Sequence, residues 1–396
     1  MKILRIIGSL NPELGGPVEV SFQQTVEMIK QGHQVDVLTL DGIDAPYVHQ
    51  FPGNVIALGP SFGKYRFNQH LIPWLLKNSH KYDLVVVHGI WQFLSSATWL
   101  VSRMTKLSYF VYTHGALDPW FRSAYPLKHV KKWVSWQIID HKLIRDAAGV
   151  LFTSEEERML ASKSFLPFQA NEIVVDYGTA APPGDLKGSK EVFLNAFPQL
   201  RGKKIFLFLS RIHPKKGCDL LIEAFAQLSN KTSDIQLVIA GPDQTNWIPK
   251  LKVKALKLGI NDRITWAGML NGDLKWGAFY SSELFILPSH SENFGVVLAE
   301  AMACRVPVLT TNKVNIWREI QKDGSGIIGN DDLNGVVGIL EQWLGMTEDA
   351  RHQMRENAEK TFWQRYEISG AVKKMLFTLQ TQTDIKKLKM EQKRKT

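Results

Sequence analysis

Three short segments carry the residue types and spacings best suited to chemistry. The first is Ser210-Arg211-Ile212-His213-Pro214-Lys215-Lys216-Gly217, which follows an apolar run and opens a helical one. Arg supplies a planar fork of donors, Lys a mobile point charge, and a helix N-terminus a partial positive charge, together a clamp for a diphosphate. The same residues would also serve as a solvated basic turn. The second segment runs from Ser289 to Met302 and contains Glu292-Asn293-Phe294-Gly295 and Glu300. Two carboxylates spaced as Glu-x7-Glu, the first at the end of an apolar run, can accept hydrogen bonds from sugar hydroxyls. An acid near a helix start is equally a good helix-starting residue. The third is Asn11-Pro12-Glu13-Leu14-Gly15-Gly16-Pro17. Gly15 and Gly16 let backbone N–H groups approach a phosphate or sugar, or form a plain strand–helix turn. His114 closes the apolar run 108–113, so it is expected at a ligand-facing strand end, or as a packed bystander. Asp118 lies just beyond it.

These segments need a scaffold that brings strand ends together. Strands are expected at 2–8, 35–40, 54–58, 83–88, 108–113, 149–153 and 172–176, and again at 204–209, 235–240, 263–267, 283–288, 306–310 and 326–329. The intervals between most of them are long enough for helices. Near-continuous apolar strands alternating with helices mean parallel sheets covered on both faces. The pattern breaks at Ala180-Ala181-Pro182-Pro183-Gly184, a linker signal. The expected fold is therefore α/β, with two doubly wound Rossmann-like domains in tandem at 1–183 and 184–360, and a helical segment 361–396 returning to the first. Ligands belong at the carboxyl ends of the strands, in a cleft between the domains.

Composition narrows the function classes. The chain has 396 residues, 44% hydrophobic and 22% charged, as expected of a globular protein. Two cysteines, Cys218 and Cys304, make neither a disulfide framework nor a zinc site, so a reducing, cytoplasmic setting is expected. No apolar run is long enough to span a membrane, and the N-terminus reads as a strand instead of a signal peptide. Lys and Arg exceed Asp and Glu by 48 to 38. Part of that excess lies in the tail, at Lys386, Lys387, Lys389, Lys393, Arg394 and Lys395, expected to be solvated or membrane-attracted. Another part lies in 127–145, where a helical projection gathers Lys128, Lys131, Lys132 and Lys142 in one sector. Trp136, Ile139 and Leu143 flank that sector, while Val130, Val134 and Ile138 are expected to face the core. Such a stripe suits the anionic inner face of a membrane, or is a solvated lysine face. No nucleic-acid-binding module is present, so nucleic acid is not the expected partner. No G-x-G-x-x-G follows the first strand, which disfavours nicotinamide and flavin, and no cofactor is expected. No Asp-x-Asp pair offers a divalent metal its ligands, so no metal is expected either.

Arg211…Lys216-Gly217 with Glu292-Asn293-Phe294-Gly295…Glu300, on two tandem α/β domains, resembles the retaining nucleotide-sugar glycosyltransferases of family 4 (glycosyl transferases group 1), which have the GT-B fold. The resemblance spans nearly the whole chain, and the Glu-x7-Glu segment is its most specific part. It implies that the second domain binds a nucleotide diphosphate-sugar, with Arg211 and Lys216 neutralising the diphosphate. Glu292 and the backbone of Asn293, Phe294 and Gly295 would hold the donor sugar, Glu300 the ribose, and the backbone around Gly268-Met269 the base. The first domain would bind a glycan or lipid-linked acceptor, with Gly15 and Gly16 approaching the donor, His114 near the reacting sugar and Asp118 at the acceptor. Transfer would be metal-independent, with retention, in polysaccharide or glycolipid assembly. The chain departs from the family at Asp176-Tyr177-Gly178-Thr179, where many relatives have Asn-Gly, and at Gly115, where many have an acid. A nucleotide-sugar epimerase, a sugar phosphorylase and a non-catalytic nucleotide-sugar-binding subunit are the competing classes. No segment nominates the cofactor lysine that a pyridoxal-phosphate phosphorylase needs.

Overall fold

A computed structural model describes the chain apart from residues 106, 229–232 and 396, and apart from the side chains of 123, 124 and 387–395. Each apolar run becomes a parallel strand. The first sheet contains β1 (Lys2–Ile7), β2 (Gln34–Thr39), β3 (Asn54–Ala57), β4 (Leu84–His88), β5 (Phe110–Tyr112), β6 (Gly149–Phe152) and β7 (Glu172–Val174). Their order is β3-β2-β1-β4-β5-β6-β7, all parallel, with Ile3 opposite Val35 on one side and Leu84 on the other. The second sheet contains β8 (Lys204–Leu209), β9 (Ile235–Ala240), β10 (Ile264–Gly268), β11 (Ser282–Leu287), β12 (Val308–Thr311) and β13 (Gly326–Gly329), in the order β10-β9-β8-β11-β12-β13. Both orders reverse direction beside their first strand, at β1/β4 and at β8/β11. Loops leaving two such neighbours diverge and open a crevice at the carboxyl edge.

The chain divides into two units, Met1–Gly178 with the C-terminal helix from Ile368, and Thr179–Glu367. The division at Gly178 falls ahead of the Pro182-Pro183 stretch, which belongs to the second unit; Tyr280 Oη donates to the Pro183 carbonyl at 3.4 Å. Residues 361–367 also stay with the second unit, where the Thr179 amide donates to the Tyr366 carbonyl at 2.8 Å. The helix Ile368–Lys395 returns to the first unit by burying Ala371, Val372, Met375, Leu376 and Leu379. Gly178, at φ +71°, permits this approach, because a Cβ there would stand 2.9 Å from both Ala371 Cβ and Ile368 Cδ1. Lys386 donates to the Asp146 carbonyl at 3.0 Å; Lys387, Lys389, Lys393, Arg394 and Lys395 lie outside the described side chains. Cys218 and Cys304 are free and buried.

One expected face is reversed. The segment 127–145 is helical through Pro126–Ser135, a π turn at Trp136–Asp140, and His141–Asp146. Trp136 and Leu143, expected beside the lysines, are fully buried; Leu127 is 84% exposed, Ile138 is 64% exposed, and Val130 and Val134 are exposed too. Apolar residues occupy both sides of this helix, and periodicity does not say which side meets the sheet. The larger Trp136 decides it, donating Nε1–H to the Pro167 carbonyl at 3.0 Å and stacking on Phe165 and Phe168. Lys132 turns inward with it, over the rings of Trp91 and Phe121.

Candidate functional site

In the second unit the loops after β8 and β11 meet at the point where the strand order reverses. The β8 loop makes a 3-10 turn at Pro214–Lys216, capped by His213 Nδ1 accepting from the Lys215 amide, and then passes through Gly217 at φ +67°. Only glycine fits, since a Cβ would stand 2.1 Å from the Pro288 carbonyl oxygen on the β11 loop. The His290 amide donates to the Lys215 carbonyl at 2.9 Å, which stitches the loops together. Lys216 is thereby buried, and its Nζ pairs with Glu292 Oε2.

Glu292 is fixed from its other side by backbone bonds, its amide to the Lys313 carbonyl and its carbonyl from the Asn315 amide, each 2.9 Å. Burial pushes its carboxyl up, but Lys216, with Lys215 and Arg211 behind it, outweighs burial and holds it below the usual carboxylate range. At neutral pH Glu292 is thus an anion able to accept from hydroxyl groups. Arg211, just after β8, is exposed at the same edge. Asn293 Oδ1 accepts from Asn315 Nδ2 at 3.2 Å, and Phe294 is buried edge-on against Tyr366. Gly295, at φ +72°, turns the chain into the helix Val296–Ala303, anchored by fully buried Leu298, Ala301 and Met302. Glu300 lies on that helix, buried, with Oε1 2.6 Å from Lys275 Nζ. Met269 is 60% exposed after β10, beside Gly268, whose carbonyl accepts from the Gly241 amide at 2.7 Å.

In the first unit, Gly15 at φ +85° precedes the helix Gly16–Lys30, which Gly16 opens, and no atom stands within 4 Å of the Cβ position of either. The helix has no side-chain cap. His114 follows β5 at φ +49°, an uncommon backbone for a non-glycine residue. Its Nε2 lies 3.0 Å from His88 Nδ1, its Nδ1 lies 3.1 Å from Tyr177 Oη, and its ring stacks on Tyr112 at 4.7 Å. Behind His88 lies Arg5, buried in β1 and donating to the Ser21 carbonyl, Thr25 Oγ1 and Gln24 Oε1 at 2.7–2.9 Å. Its Nη2 is 3.1 Å from His88 Nε2. A guanidinium only donates, so His88 Nε2 accepts and carries its proton on Nδ1; His114 Nε2 then accepts, and its own proton points at Tyr177. Burial, then Arg5, lowers the His114 value to about 3, so the ring is neutral near pH 7. Asp118 closes the same turn, with Oδ1 accepting from the Trp120 amide at 2.8 Å.

Sequence reasoning did not single out Arg5, His88, Glu157, Tyr177 or Lys275 for roles at these sites. Arg5 left a trace, a cation in the middle of a run that is otherwise apolar from Ile3 to Ile7. His88 ends β4, and His114 lies two residues beyond the end of β5. Glu157 left none: its carboxylate accepts from Thr113 Oγ1, the Gly115 amide, and the amide and Oγ1 of Thr153 at 2.7–2.8 Å, which sets the His114 turn. Among the described residues no group of three His, Cys, Asp or Glu could hold a metal ion, and no helix is long and apolar enough to cross a membrane.

Residues 190–361 match the family described as glycosyl transferases group 1, and residues 15–177 match the glycosyl transferase 4-like domain. An uncharacterised glycosyltransferase of Methanocaldococcus jannaschii is 23% identical over 94% of this chain and 96% of its own length. The D-inositol 3-phosphate glycosyltransferase of Rhodococcus erythropolis is 24% identical over 85% of this chain and 78% of its own. Among solved structures, the Anabaena HepE protein in complex with UDP and glucose superposes with a TM-score of 0.75 at 17% identity, covering 96% of this chain and 100% of that one. The two parallel sheets and these neighbours identify the fold as GT-B.

Proposed function

The chain belongs to the glycosyl transferases group 1, and from that premise we propose that it moves a sugar from a nucleotide diphosphate-sugar to a hydroxyl of a glycan or lipid-linked acceptor, with retention. The observation that carries this reading is the buried Lys216–Glu292 pair with Arg211 beside it, on the loops where the second sheet reverses its order. Cations at that edge suit the diphosphate, and an ionised carboxylate suits the hydroxyls of the sugar attached to it. A neighbour solved with UDP and glucose supports a donor of the uridine diphosphate class.

In the proposed step the bond from the sugar carbon to the phosphate oxygen breaks, and the bond to the acceptor oxygen forms on the same face. The acceptor proton passes to the departing phosphate oxygen. Negative charge grows on the diphosphate as the sugar gains oxocarbenium character, and Arg211 and Lys216 stabilise that charge from fixed positions. Glu292 positions the sugar, with the backbone of Asn293, Phe294 and Gly295. Glu300 accepts from the ribose by exchange with Lys275, and Met269 marks the base side. Gly15 and Gly16 offer uncovered backbone to the donor. His114 enters as a neutral, held ring, and Asp118 as an acceptor contact. No Asp-x-Asp pair is present, so transfer is proposed to proceed with protein cations in place of a metal. The exposed row Leu127, Val130, Val134 and Ile138, edged by Lys128 and Lys131, supports peripheral contact with an anionic, cytoplasmic membrane face.

Incubation with a panel of nucleotide sugars and acceptors tests this reading. Arg211→Ala and Glu292→Ala should each lower transfer about a hundredfold. Full activity in both variants, or free altered sugar formed without an acceptor, rejects it.

A further inference from the structure

The first unit holds a cavity that the donor chemistry does not use. It measures about 270 Å³ and opens beside the turn that carries Ala116 and Asp118, at the carboxyl end of β5. That volume falls just under the roughly 300–1,000 Å³ of pockets for drug-sized ligands, so it suits one sugar ring or one headgroup. Its walls are aromatic: Phe121 and Tyr125 on one side, and on the other Phe165, on which His129 stacks at 4.6 Å.

Two lysines of the helix Pro126–Ser135 line it, and both stand over rings. Lys132 Nζ lies 5.1 Å from the Phe121 ring and 5.2 Å from that of Trp91; Lys128 Nζ lies 4.5 Å from the Tyr125 ring. Neither ammonium has a hydrogen bond or an ion pair among the described residues. Each has three donors; Lys128 sits at the exposed rim, and the half-buried Lys132 faces aromatic walls that only partly repay its donors. Burial, then repulsion from Lys128, lowers the Lys132 value against the attraction of Asp140. The lining carboxylate is Asp118, already engaged by the Trp120 amide.

We propose that this cavity is a subsite for an anionic group of the acceptor, a phosphate or carboxylate held by Lys128 and Lys132 with the attached ring or chain against Phe121 and Tyr125. A neutral sugar would leave both cations facing one lining carboxylate, Asp118, which already accepts from the Trp120 amide. An anion supplies acceptors to both and cancels their mutual repulsion. The proposal rests on the glycosyltransferase reading, because it names the acceptor's class. The anion has two chemical sources, an acidic or phosphorylated sugar of a glycan, or the phosphate of a lipid carrier.

Calorimetric titration of the full chain with glucose, glucose 6-phosphate, glucuronate, dodecyl maltoside and monododecyl phosphate tests it. At least one anion should bind tenfold or more tightly than its neutral counterpart. Lys132→Met and Lys128→Met, which keep the apolar stem, should each cut that preference to threefold or less, while Lys77→Met on a distant helix should keep it. Preference for the sugar anions assigns the source to the glycan; preference for dodecyl phosphate alone assigns it to a lipid. Thermal unfolding shows whether each variant is folded. Lys128, exposed at the rim, keeps the test valid if Lys132→Met fails to fold. Equal binding of neutral and anionic probes, or a preference that survives the double variant, overturns the subsite. UDP-sugar turnover measured alongside separates the two failures: turnover without anion preference removes the subsite alone, and anion preference without turnover removes the transferase reading.

Discussion

The two sheets share one strand order, yet their carboxyl edges hold functional groups by opposite electrostatic means. At the second sheet, charges are matched in place: Lys216 with Glu292 and Lys275 with Glu300. At the first, the buried cation Arg5 meets neutral acceptors only, the His88 and His114 rings beyond it are kept uncharged, and the Glu157 carboxylate is held by neutral donors. Burial lowers Arg5 itself to about 10, still charged at neutral pH. Matched pairs suit an edge proposed to receive a diphosphate. A neutral, hydrogen-bonded row of His88, His114 and Tyr177 suits an edge that holds a ring orientation. The same topology thus hosts two kinds of site, and side chains at strand ends decide which.

The contrast can be broken deliberately. Among single substitutions the largest effect is expected at Gly217, where a methyl group meets the Pro288 carbonyl and the backbone is left-handed. Gly217→Ala should cost about 3 kcal/mol in urea unfolding of the second unit and weaken UDP binding, with the first unit unchanged. An unchanged urea midpoint would show that the loop junction is not rigid. Next is Glu157→Gln, which removes the charge that gathers four donors beneath His114. A loss of about 2 kcal/mol confined to the first unit is expected, with UDP binding intact.

Acid should separate the units next. Below pH 6.5 an unfolded histidine takes a proton that the folded His114 and His88 rings refuse, so the first unit loses stability as pH falls from about 6.5 toward 3. The slope approaches about 1.4 kcal/mol per pH unit for each ring. The Glu292 pair behaves differently. Its carboxyl is lowered from 4.5, so its stabilisation is complete above that value and is lost only as pH falls through the lower folded value. Hydrogen exchange at pH 5 should show β5 loosened while the 291–293 loop stays protected; simultaneous loosening would remove the contrast. His213, itself held down by burial and by Arg211, Lys215 and Lys216, adds a smaller acid sensitivity to the second unit. Smallest in stability is Leu127→Glu with Val134→Glu, expected to change unfolding by under about 0.5 kcal/mol. Co-sedimentation with anionic vesicles should nonetheless be lost, and retained binding would reject the membrane face.

Much of the frame was legible in the chain. Every strand overlaps an apolar run, because a strand covered on both faces must be apolar along its length. The helices Leu186–Ala196 and Trp317–Lys322 were not distinguished, since a short or mixed segment carries little periodic signal. The candidate residues of the second unit stood out because glycine, arginine and acid fall together at strand ends. The first unit's site was mostly hidden. Arg5, His88, His114 and Tyr177 come from four separate stretches, and Glu157 acts from a helix start where an acid is commonplace.

What the sequence determined by itself was the set of elements and their chemistry: parallel strands, a break in their pattern near residue 180, a cationic loop and a Glu-x7-Glu segment. Those follow from local periodicity and residue type, which act over a few neighbours. Only the tertiary structure decided partners. It set β8 beside β11, so that Lys216 reached Glu292, and it turned Trp136 inward, leaving Leu127 and Ile138 outside. Each of those outcomes depends on which of several apolar surfaces meets which, a competition among contacts distant in sequence that no local pattern records.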